Sequence, residues 1–302
     1  MKHLTNHFDV IIIGGSYSGL SAAMALGRSL RKVLILDNGK PCNAQTPHSH
    51  NFITHDGESP FEIAVAALEQ VLKYTTVVLK KQKAVGAKKT DTGFEIKTES
   101  EEFSAKKIIL ATGIRDILPD IKGLKECWGI SVIHCPYCHG YEFRNQKTGI
   151  MANGERAFHL AGLVKNLSDN VTIYTNGKAD FSEEQLAKFS QNNMEIIEPN
   201  VSEIVHNNGN LSEIVLSDGK SCEMTALYTS FPFEQHSDLW KQLNCELIET
   251  GHIKVDHLQK TSVDGVFACG DNSSPMRAVA NAVFTGNLTG AMLNHELVRE
   301  NF

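Results

Sequence analysis

The sequence predicts an α/β fold of two parallel-sheet domains, with the second domain inserted in the first. One strand–helix–strand pattern begins at Phe8, and a second begins at Thr148. A last apolar strand, Val263–Cys269, and a final helical stretch indicate that the chain returns to the first domain. The length of 302 residues suits about two domains of ordinary size. Each crossover should be right-handed over parallel strands.

Composition is that of an ordinary globular protein and argues against several functional classes. Hydrophobic residues make up 41% of the chain, charged residues 21%, and the net charge is −6. This acidic balance argues against a nucleic-acid-binding surface, which requires a basic face. The seven cysteines are odd in number and sparse, so we expect a cytoplasmic protein rather than a disulfide scaffold. Glycines and serines interrupt the apolar run Val10–Gly27, so we expect neither a targeting segment nor membrane association.

The elements of the first domain follow from apolar runs and the residues that stop them. Short β-rich runs that end at glycine or aspartate predict strands, and apolar residues at helical spacing predict helices. The predicted elements are strand Phe8–Ile13, helix Ser18–Leu30, strand Lys32–Leu36, helix Pro60–Tyr74 and strand Lys107–Thr112. Residues 75–107 alternate β-prone runs with turns, which predicts a small antiparallel meander.

The second domain repeats these signals. Its predicted elements are strand Thr148–Ala152, helix Arg156–Leu167, strand Asn170–Thr175, helix Glu183–Asn192 and β-prone stretches at Val201–Val205 and Leu211–Leu216. After the strand Val263–Cys269, a last helix is predicted from about Pro275 to Arg299.

The turn after the first strand carries a glycine motif. It consists of Gly14, Gly15, Ser16, Tyr17, Ser18 and Gly19. The first glycine allows a tight turn, and the last allows close helix–strand packing. The helix N-terminus would offer free N–H groups to phosphates, and Asp37, at the end of the next strand, can accept hydrogen bonds from ribose hydroxyls. This register favours a Rossmann-like dinucleotide site over a turn without a ligand.

Two more loops follow strands of the first domain. One contains Ala111, Thr112 and Gly113, and the other ends in Gly270 and Asp271. A carboxylate after a strand can lie beside a polyol, while the next helix N-terminus points at a ring carbonyl. The alternative for Asp271 is an ordinary cap or turn residue.

Two cysteines three residues apart form the candidate reactive pair. Cys135 and Cys138 can close a small disulfide, and this spacing shifts thiol pKa values. Pro136 suits the first position of a helix, which would place Cys135 near the positive end of the helix dipole. The flanking His134 and His139 can move protons near neutral pH. Half a zinc site and accidental buried cysteines are alternatives, but no second C-x-x-C motif is present, so we expect no metal.

Together these motifs resemble a known family. The glycine motif, Asp37, Asn51-Phe52, the 111–113 loop, the cysteine pair and residues 265–271 occur in the order seen in low-molecular-weight thioredoxin reductases, the class II pyridine nucleotide-disulfide oxidoreductases. The resemblance covers nearly the whole chain. The Cys-x-x-Cys-His-Gly-Tyr variant is most similar to the branch that includes gliotoxin- and holomycin-type dithiol oxidases.

The resemblance implies a homodimer with FAD in the first domain. It implies an FAD-binding domain of residues 1–116 and 248–302, and an inserted NAD(P)H-binding-like domain of residues 117–247 that carries the redox pair. In this family Cys138 would lie nearest the flavin, Cys135 would exchange with the substrate, and His139 would replace the aspartate that donates a proton. The implied FAD-binding residues are Gly14, Gly15, Ser16, Tyr17, Ser18, Gly19, Asp37, Asn51, Ala111, Thr112, Gly113, Gly270, Asp271, Arg277 and Ala278.

The chain also departs from the family pattern elsewhere, and Ala152 stands at the first glycine position of the second strand–helix turn. Asn176 and Gly177 stand where thioredoxin reductases carry an arginine pair for the 2′-phosphate of NADPH, and Ala278 stands where a glutamine is usual. Neutral residues lack charge-assisted hydrogen bonds worth roughly 1.5–3 kcal/mol each. Arg156 or Lys178 could substitute. We therefore expect FAD, and we leave NAD(P)H as an open second cofactor.

The sequence thus predicts an FAD-dependent, thioredoxin-reductase-like disulfide oxidoreductase, with the reductive direction favoured. Electrons would pass from the reduced flavin through Cys135 and Cys138 to a disulfide in a thioredoxin-like protein or a small molecule. The alternative is a flavin dithiol oxidase that forms a disulfide in a small-molecule or protein dithiol, with O2 as the acceptor. A third hypothesis, of another class, is a flavin redox sensor without turnover.

Overall fold

The computed structural model describes residues 6–302, and within it the chain forms two compact units. The first unit comprises the chain up to Ala44, Phe52–Arg115 and Phe233–Phe302. The second comprises Gln45–Asn51 and Asp116–Pro232. In the described part of the chain, no helix combines the length and the apolar character that a bilayer crossing needs.

The first stretch of the first unit alternates strands and helices before it turns to antiparallel strands. Its elements are β1 His7–Ile13, α1 Tyr17–Arg28, β2 Val33–Leu36, α2 Pro60–Val71, β3 Val77–Lys80, β4 Ala84–Thr90, β5 Gly93–Thr98, β6 Glu102–Leu110 and β7 Ile114–Asp116. Ser59 caps α2: its hydroxyl accepts from the Glu62 N–H, and the Glu62 carboxylate accepts from the Ser59 N–H.

The second unit has the same alternation. Its elements are α3 Leu124–Cys127, β8 Val132–Ile133, α4 Pro136–His139, a 3-10 helix Tyr141–Phe143, β9 Thr148–Met151, α5 Gly154–Lys165, β10 Val171–Tyr174, α6 Glu183–Gln191, β11 Glu195–Ile197, β12 Val201–Asn207, β13 Asn210–Leu216, β14 Ser221–Glu223 and β15 Ala226–Thr229.

The chain then returns to the first unit. The last elements are β16 Phe233–Gln235, α7 Leu239–Gln242, β17 Val266–Ala268 and α8 Val279–Asn301.

A mixed sheet of seven strands forms the centre of the first unit. β3, β2, β1 and β6 pair in parallel in that order, β17 adds to β6 in parallel, and β5 and β4 extend the sheet antiparallel from β6. Both faces are buried, because Ile11 and Ile13 pack in one apolar cluster while Val10 and Ile12 pack in another. This explains why β1 reads as a continuous apolar run rather than an alternating one.

The second unit combines a parallel sheet with a small antiparallel one. The parallel sheet has the order β11-β10-β9-β15-β8, and β12, β13 and β14 form the antiparallel sheet. The predicted α/β fold of two Rossmann-like units, each with a small antiparallel element, is therefore confirmed.

Three details differ from the sequence-based expectation. Residues 75–107 are not purely a meander, because β3 pairs in parallel with β2. The last helix begins at Val279 rather than Pro275, since the Arg277 and Ala278 N–H groups bond back to Pro275 and Met276 in turns. The return to the first unit occurs at residue 233 rather than 248, because β16 pairs with β7 and the following residues pack in the first unit's core.

Candidate functional site

The glycine turn after β1 is held by close backbone contacts. Gly14 has φ 108°, and its N–H donates to the Leu36 carbonyl at 2.9 Å. A Cβ atom at Gly14 would lie 2.1 Å from the carbonyl oxygen of Ala111, and one at Gly15 would lie 2.9 Å from the Cβ of Asp37. The structure therefore brings the glycine turn, Asp37 and the 111–113 loop to one place, as the sequence predicts for a dinucleotide site.

The cap residue of α1 does not bond to the N–H groups at the start of the helix. Ser16 is the N-cap, and its side chain makes no capping hydrogen bond. Tyr17, Ser18 and Gly19 form the first turn, and the Tyr17 hydroxyl donates to the Pro60 carbonyl at 3.0 Å. The N–H groups of such a turn are suited to an anion.

Close helix packing places the Gly270 loop against that turn. Gly270 has φ 83°, and a Cβ atom there would lie 2.6 Å from the Ser18 hydroxyl. The Gly270 N–H donates to the Thr285 hydroxyl of α8 at 3.1 Å. A Cβ atom at Gly286 would lie 2.1 Å from the Ser18 carbonyl oxygen, so α1 and α8 cross almost backbone to backbone. This crossing fixes Gly270 and Asp271 beside the glycine motif.

The end of the Gly270 loop contains a charged pair. The Arg277 Nε lies 4.0 Å from the Asp271 Oδ2. Ala278 is the N-cap of α8 and makes no side-chain capping bond. Asp271, Arg277 and Ala278 thus lie in one loop and at the start of the helix that follows it.

Buried polar atoms beside this loop test whether a cofactor fits. Asn272 has no exposed surface, and its Nδ2 donates to the Leu110 carbonyl at 2.8 Å and to the Thr112 hydroxyl at 3.2 Å. His252 is 2% exposed, and its Nδ1 lies 2.8 Å from the Thr250 hydroxyl. Asn272 Oδ1 and His252 Nε2 have no hydrogen-bond partner among the described residues. Buried polar atoms are rarely left unpaired, so their presence fits a polar cofactor such as FAD in the first unit.

Asn51 belongs to the second compact unit, unlike the other predicted FAD residues. It ends the segment Gln45–Asn51, which groups with the second unit, and it has φ 59°. Its role in the cofactor site stays a prediction.

The cysteine pair is a disulfide at the start of a one-turn helix in the second unit. Cys135 and Cys138 are bonded, with 5.3 Å between their Cα atoms. Cys135 is the N-cap of α4, Pro136 follows at the first helical position, and the Cys138 N–H donates to the Cys135 Sγ at 3.2 Å. The predicted helix start is confirmed. This N–H would stabilise a Cys135 thiolate once the disulfide is reduced.

His139 ends the same short helix. Burial lowers the pKa of its imidazole, nearby His50 lowers it further, and Glu142 opposes them. The imidazole therefore stays neutral down to a lower pH than an ordinary histidine does, and in the neutral form it can accept a proton. On the other side of the pair, His134 packs against Trp128, with 6.0 Å between ring centroids.

In the turn between β9 and α5, one side chain forms hydrogen bonds both to the start of the helix and to a neighbouring loop. Asn153 caps α5: its Oδ1 accepts from the Gly154 N–H at 2.9 Å and from the Asp180 N–H at 2.9 Å. Its Nδ2 donates to the Lys178 carbonyl at 2.9 Å. These bonds tie segment 178–180 across the first turn of α5, where a dinucleotide pyrophosphate binds in a βαβ unit.

The residues after β10 also use polar groups for hydrogen bonds within the chain. The Asn176 Oδ1 accepts from the Val201 N–H at 2.8 Å, and the Gly177 N–H donates to the Glu198 carbonyl at 2.7 Å. Arg156, a candidate substitute for the missing phosphate contact, donates to the Ser230 carbonyl at 3.0 Å. Asn176 and Gly177 carry no charge and bond within the chain, so they do not supply the contact that an arginine pair makes to an NADPH 2′-phosphate.

Metal ligation was the alternative for the cysteines. Among residues 6–302, no group of three or more histidine, cysteine or acidic side chains is arranged to hold a metal ion. Cys127, the third cysteine of that hypothesis, is buried, and burial raises the pKa of its thiol.

Sequence reasoning missed several residues of these sites. Asn272 follows the Gly-Asp motif directly, so the pattern after β17 could have included it. His252 and His50 carry no local signal, because only the tertiary fold brings them to the loop or to His139. Glu142 lies three residues after His139, so the local sequence could have included it. Asn153 was visible in a glycine-type turn, but its bonds to segment 178–180 were not.

Comparisons with known proteins agree with this geometry. A family model described as Pyridine nucleotide-disulphide oxidoreductase matches residues 8–286. The chain is 35% identical to Thioredoxin reductase tcpT of Claviceps purpurea, over 98% of this chain and 96% of that protein. It is 31% identical to Thioredoxin reductase sirT of Leptosphaeria maculans, over 96% and 94%. The crystal structure of an oxidoreductase from Agrobacterium tumefaciens superimposes with a TM-score of 0.91 at 35% identity, covering 97% of this chain and 99% of that one.

Proposed function

The chain belongs to the pyridine nucleotide-disulphide oxidoreductase family, and we propose that it oxidises a substrate dithiol through the Cys135–Cys138 disulfide. It is an enzyme of the thioredoxin-reductase-like disulfide oxidoreductase type, with FAD as its cofactor. The substrate class is a small-molecule or protein dithiol, because the reaction requires two thiols that can be joined.

One observation carries the direction of electron flow. The Asn153 side chain ties segment 178–180 across the first turn of α5, and Asn176 is turned to the backbone of β12. A nicotinamide dinucleotide would need free N–H groups at the start of α5, where the Gly154 N–H already donates to Asn153, and a cation for its phosphates. The internal bonds favour a dithiol, rather than NADPH, as the source of electrons.

The exchange itself uses residues of α4. A substrate thiol loses its proton to the His139 imidazole, and the thiolate attacks the Cys135 Sγ. The Cys135–Cys138 bond breaks, and Cys138 leaves as a thiolate. The second substrate thiol loses its proton to solvent, and its thiolate attacks the substrate sulfur of the mixed disulfide. This releases the oxidised substrate and a Cys135 thiolate that the Cys138 N–H can stabilise. Bound FAD would supply a two-electron acceptor for the resulting dithiol pair, with O2 as the final acceptor of the two electrons and two protons, as hydrogen peroxide.

The opposite direction is the second candidate. Relatives at 31–35% identity are named thioredoxin reductases, which supports transfer of electrons to a disulfide of a thioredoxin-like protein. The same cysteine pair serves this reaction, because thiol–disulfide exchange is reversible. A flavin redox sensor without turnover is the outcome if neither direction gives repeated cycles.

The FAD-loaded protein tests the proposal in air. Dithiothreitol should drive O2 consumption with one peroxide formed per dithiol oxidised, whereas NADPH should not. Cys135→Ser and Cys138→Ser should each lower the rate about 100-fold or more. Cys42→Ser, which changes an exposed cysteine outside α4, is the matched control and should leave the rate unchanged. NADPH-driven reduction of a protein disulfide would reverse the proposed direction.

We also propose a cytoplasmic homodimer. Exposed aromatic side chains on α2 and α8, Phe61 and Phe284, support a self-association surface. The remaining cysteines are thiols, which supports a reducing compartment. Sedimentation should give the mass of two chains, and Phe284→Asp should lower it to that of one.

A further inference from the structure

A group of ionisable side chains surrounds His139 within the second unit. His50 lies in the segment Gln45–Asn51, and its Nε2 is 3.5 Å from the Glu142 Oε1. The His50 ring stands edge-on to the His139 ring, with 6.3 Å between centroids. The His50 and Glu142 side chains are 20% and 38% exposed, so water screens them only in part. His139 therefore has a histidine and a carboxylate as neighbours from two different segments.

We propose that His50 and Glu142 are positioning residues that set the protonation of His139 in opposite directions. The inference rests on the proposed function, in which His139 accepts the proton of the substrate thiol. Neither residue needs to touch the substrate. His50 and Glu142 act only through the imidazole that follows the redox cysteine.

The two effects have opposite signs for an electrostatic reason. The His50 ring faces the His139 ring, and a positive charge on one imidazole disfavours a second on the other, so His50 lowers the pKa of His139 along with burial. The Glu142 carboxylate raises the same pKa directly. The pair therefore holds His139 as a neutral base while limiting how far its pKa falls.

Other charged groups near the pair do not replace this effect. His48 lies 6.3 Å from His50, ring to ring, on the same segment. Tyr228 of β15 is buried near Glu142, and burial raises the pKa of its phenol, so it carries no charge near neutral pH. The Arg144 guanidinium lies 4.0 Å from the Tyr141 ring and donates to the Tyr141 carbonyl at 2.8 Å. His50 and Glu142 are therefore the two neighbouring side chains that bear on the protonation of His139.

The test is a histidine NMR titration of the FAD-loaded protein. The His139 signal is assigned by its loss in His139→Asn, and its midpoint is measured in wild type, His50→Gln and Glu142→Gln. His50→Gln should raise the midpoint, by about 0.5 pH unit for a charge 6.3 Å away in a water-like dielectric, and Glu142→Gln should lower it. Glu184→Gln, on the exposed face of α6, is the matched control and should not move it.

Shifts in the same direction, or no shift in either variant, would overturn the inference. A thermal melt of each variant shows whether it is folded, and if one variant does not fold the sign of the other's shift decides. The proposed function is tested separately by wild-type oxidation of dithiothreitol. If that oxidation fails while the midpoints move in opposite directions, the tuning exists and the assigned reaction is wrong. If oxidation proceeds while the midpoints coincide, only this inference falls.

Discussion

The side chain of Asn153 accepts a hydrogen bond from the backbone N–H of Asp180 at 2.9 Å. The same side chain caps α5 and also holds the Lys178 carbonyl, so one residue joins two loops of the second unit. Where a βαβ unit binds a dinucleotide, a glycine at such a turn lets phosphate approach the backbone. Here an asparagine uses that space for contacts within the chain.

We predict that Asn153→Ala loosens segment 178–180. Loss of an N-cap side chain costs about 1 kcal/mol, and the Asp180 amide loses its acceptor. The unfolding free energy should fall by that amount, and hydrogen exchange at Asp180 should become faster. Asn166→Ala, at the exposed C-terminal end of α5, is the control and should change neither. Unchanged exchange at Asp180 in the Asn153 variant would show that the tie does not hold the loop.

The glycine motif predicts a sharp contrast between two helix glycines. A Cβ atom at Gly19 would lie 1.9 Å from the Gly14 carbonyl oxygen, whereas one at Gly162 would meet nothing within 4 Å. Gly19→Ala should therefore destabilise the protein by about 3 kcal/mol and weaken FAD retention. Gly162→Ala, in the middle of α5, should stabilise it by about 0.5–1 kcal/mol. Chemical denaturation of both variants decides, and equal effects would contradict the close packing at Gly19.

The cysteines should differ in reactivity once the disulfide is reduced. Cys135 receives the Cys138 N–H and sits at the N-cap of α4, both of which stabilise its thiolate. We expect iodoacetamide to modify Cys135 about 10-fold faster than Cys138 below the ordinary thiol pKa of about 8.5. Peptide mass spectrometry measures both rates. Buried Cys269, whose thiol pKa is raised to about 12, should stay unmodified and serves as the internal control. Faster labelling of Cys138 would reverse the assigned roles.

Acid should destabilise the fold through buried histidines. Burial lowers the pKa of His139, His236 and His252, so below about pH 6.5 the unfolded chain binds protons that the folded chain does not. The stability contributed by each neutral imidazole is present above that pH and is lost as the pH falls toward the lowered pKa. Each such histidine contributes up to about 1.4 kcal/mol per pH unit.

His252→Gln isolates one of these contributions. The fall in unfolding free energy between about pH 6.5 and about pH 5.5 should be smaller in this variant than in wild type. His159→Gln, on the exposed face of α5, should leave the slope as it is. A His252 variant with the wild-type slope would show that His252 is not held neutral in the fold.

Much of the fold could be predicted from the sequence, because the sequence features that predict its elements are local. The buried run at β1, the glycines before α1 and Asp37 after β2 each lie within a few residues of the feature that they predict. The start of α8 was misplaced because the turns at residues 275–278 depend on backbone bonds that a helical pattern does not reveal. The return of the chain to the first unit at residue 233 depends on pairing between β7 and β16. These strands are far apart in the sequence, so no local pattern predicts their pairing.

The site was only partly visible for the same reason. Cys135, Pro136 and Cys138 lie within four consecutive residues, so the sequence alone identifies them, and the structure confirms the expected helix start. His50 reaches His139 across many intervening residues, so no window of the chain contains both. The orphaned atoms of His252 and Asn272 become informative only when burial is known.

The central claim is that electrons enter through the Cys135–Cys138 disulfide from a dithiol. Its most direct measurement is anaerobic stopped-flow mixing of the FAD-loaded protein with dithiothreitol and, separately, with NADPH. The account predicts that the dithiol bleaches the flavin absorbance, that Cys135→Ser abolishes this, and that NADPH bleaches it no faster than buffer. Rapid bleaching by NADPH, with none by the dithiol, would contradict it.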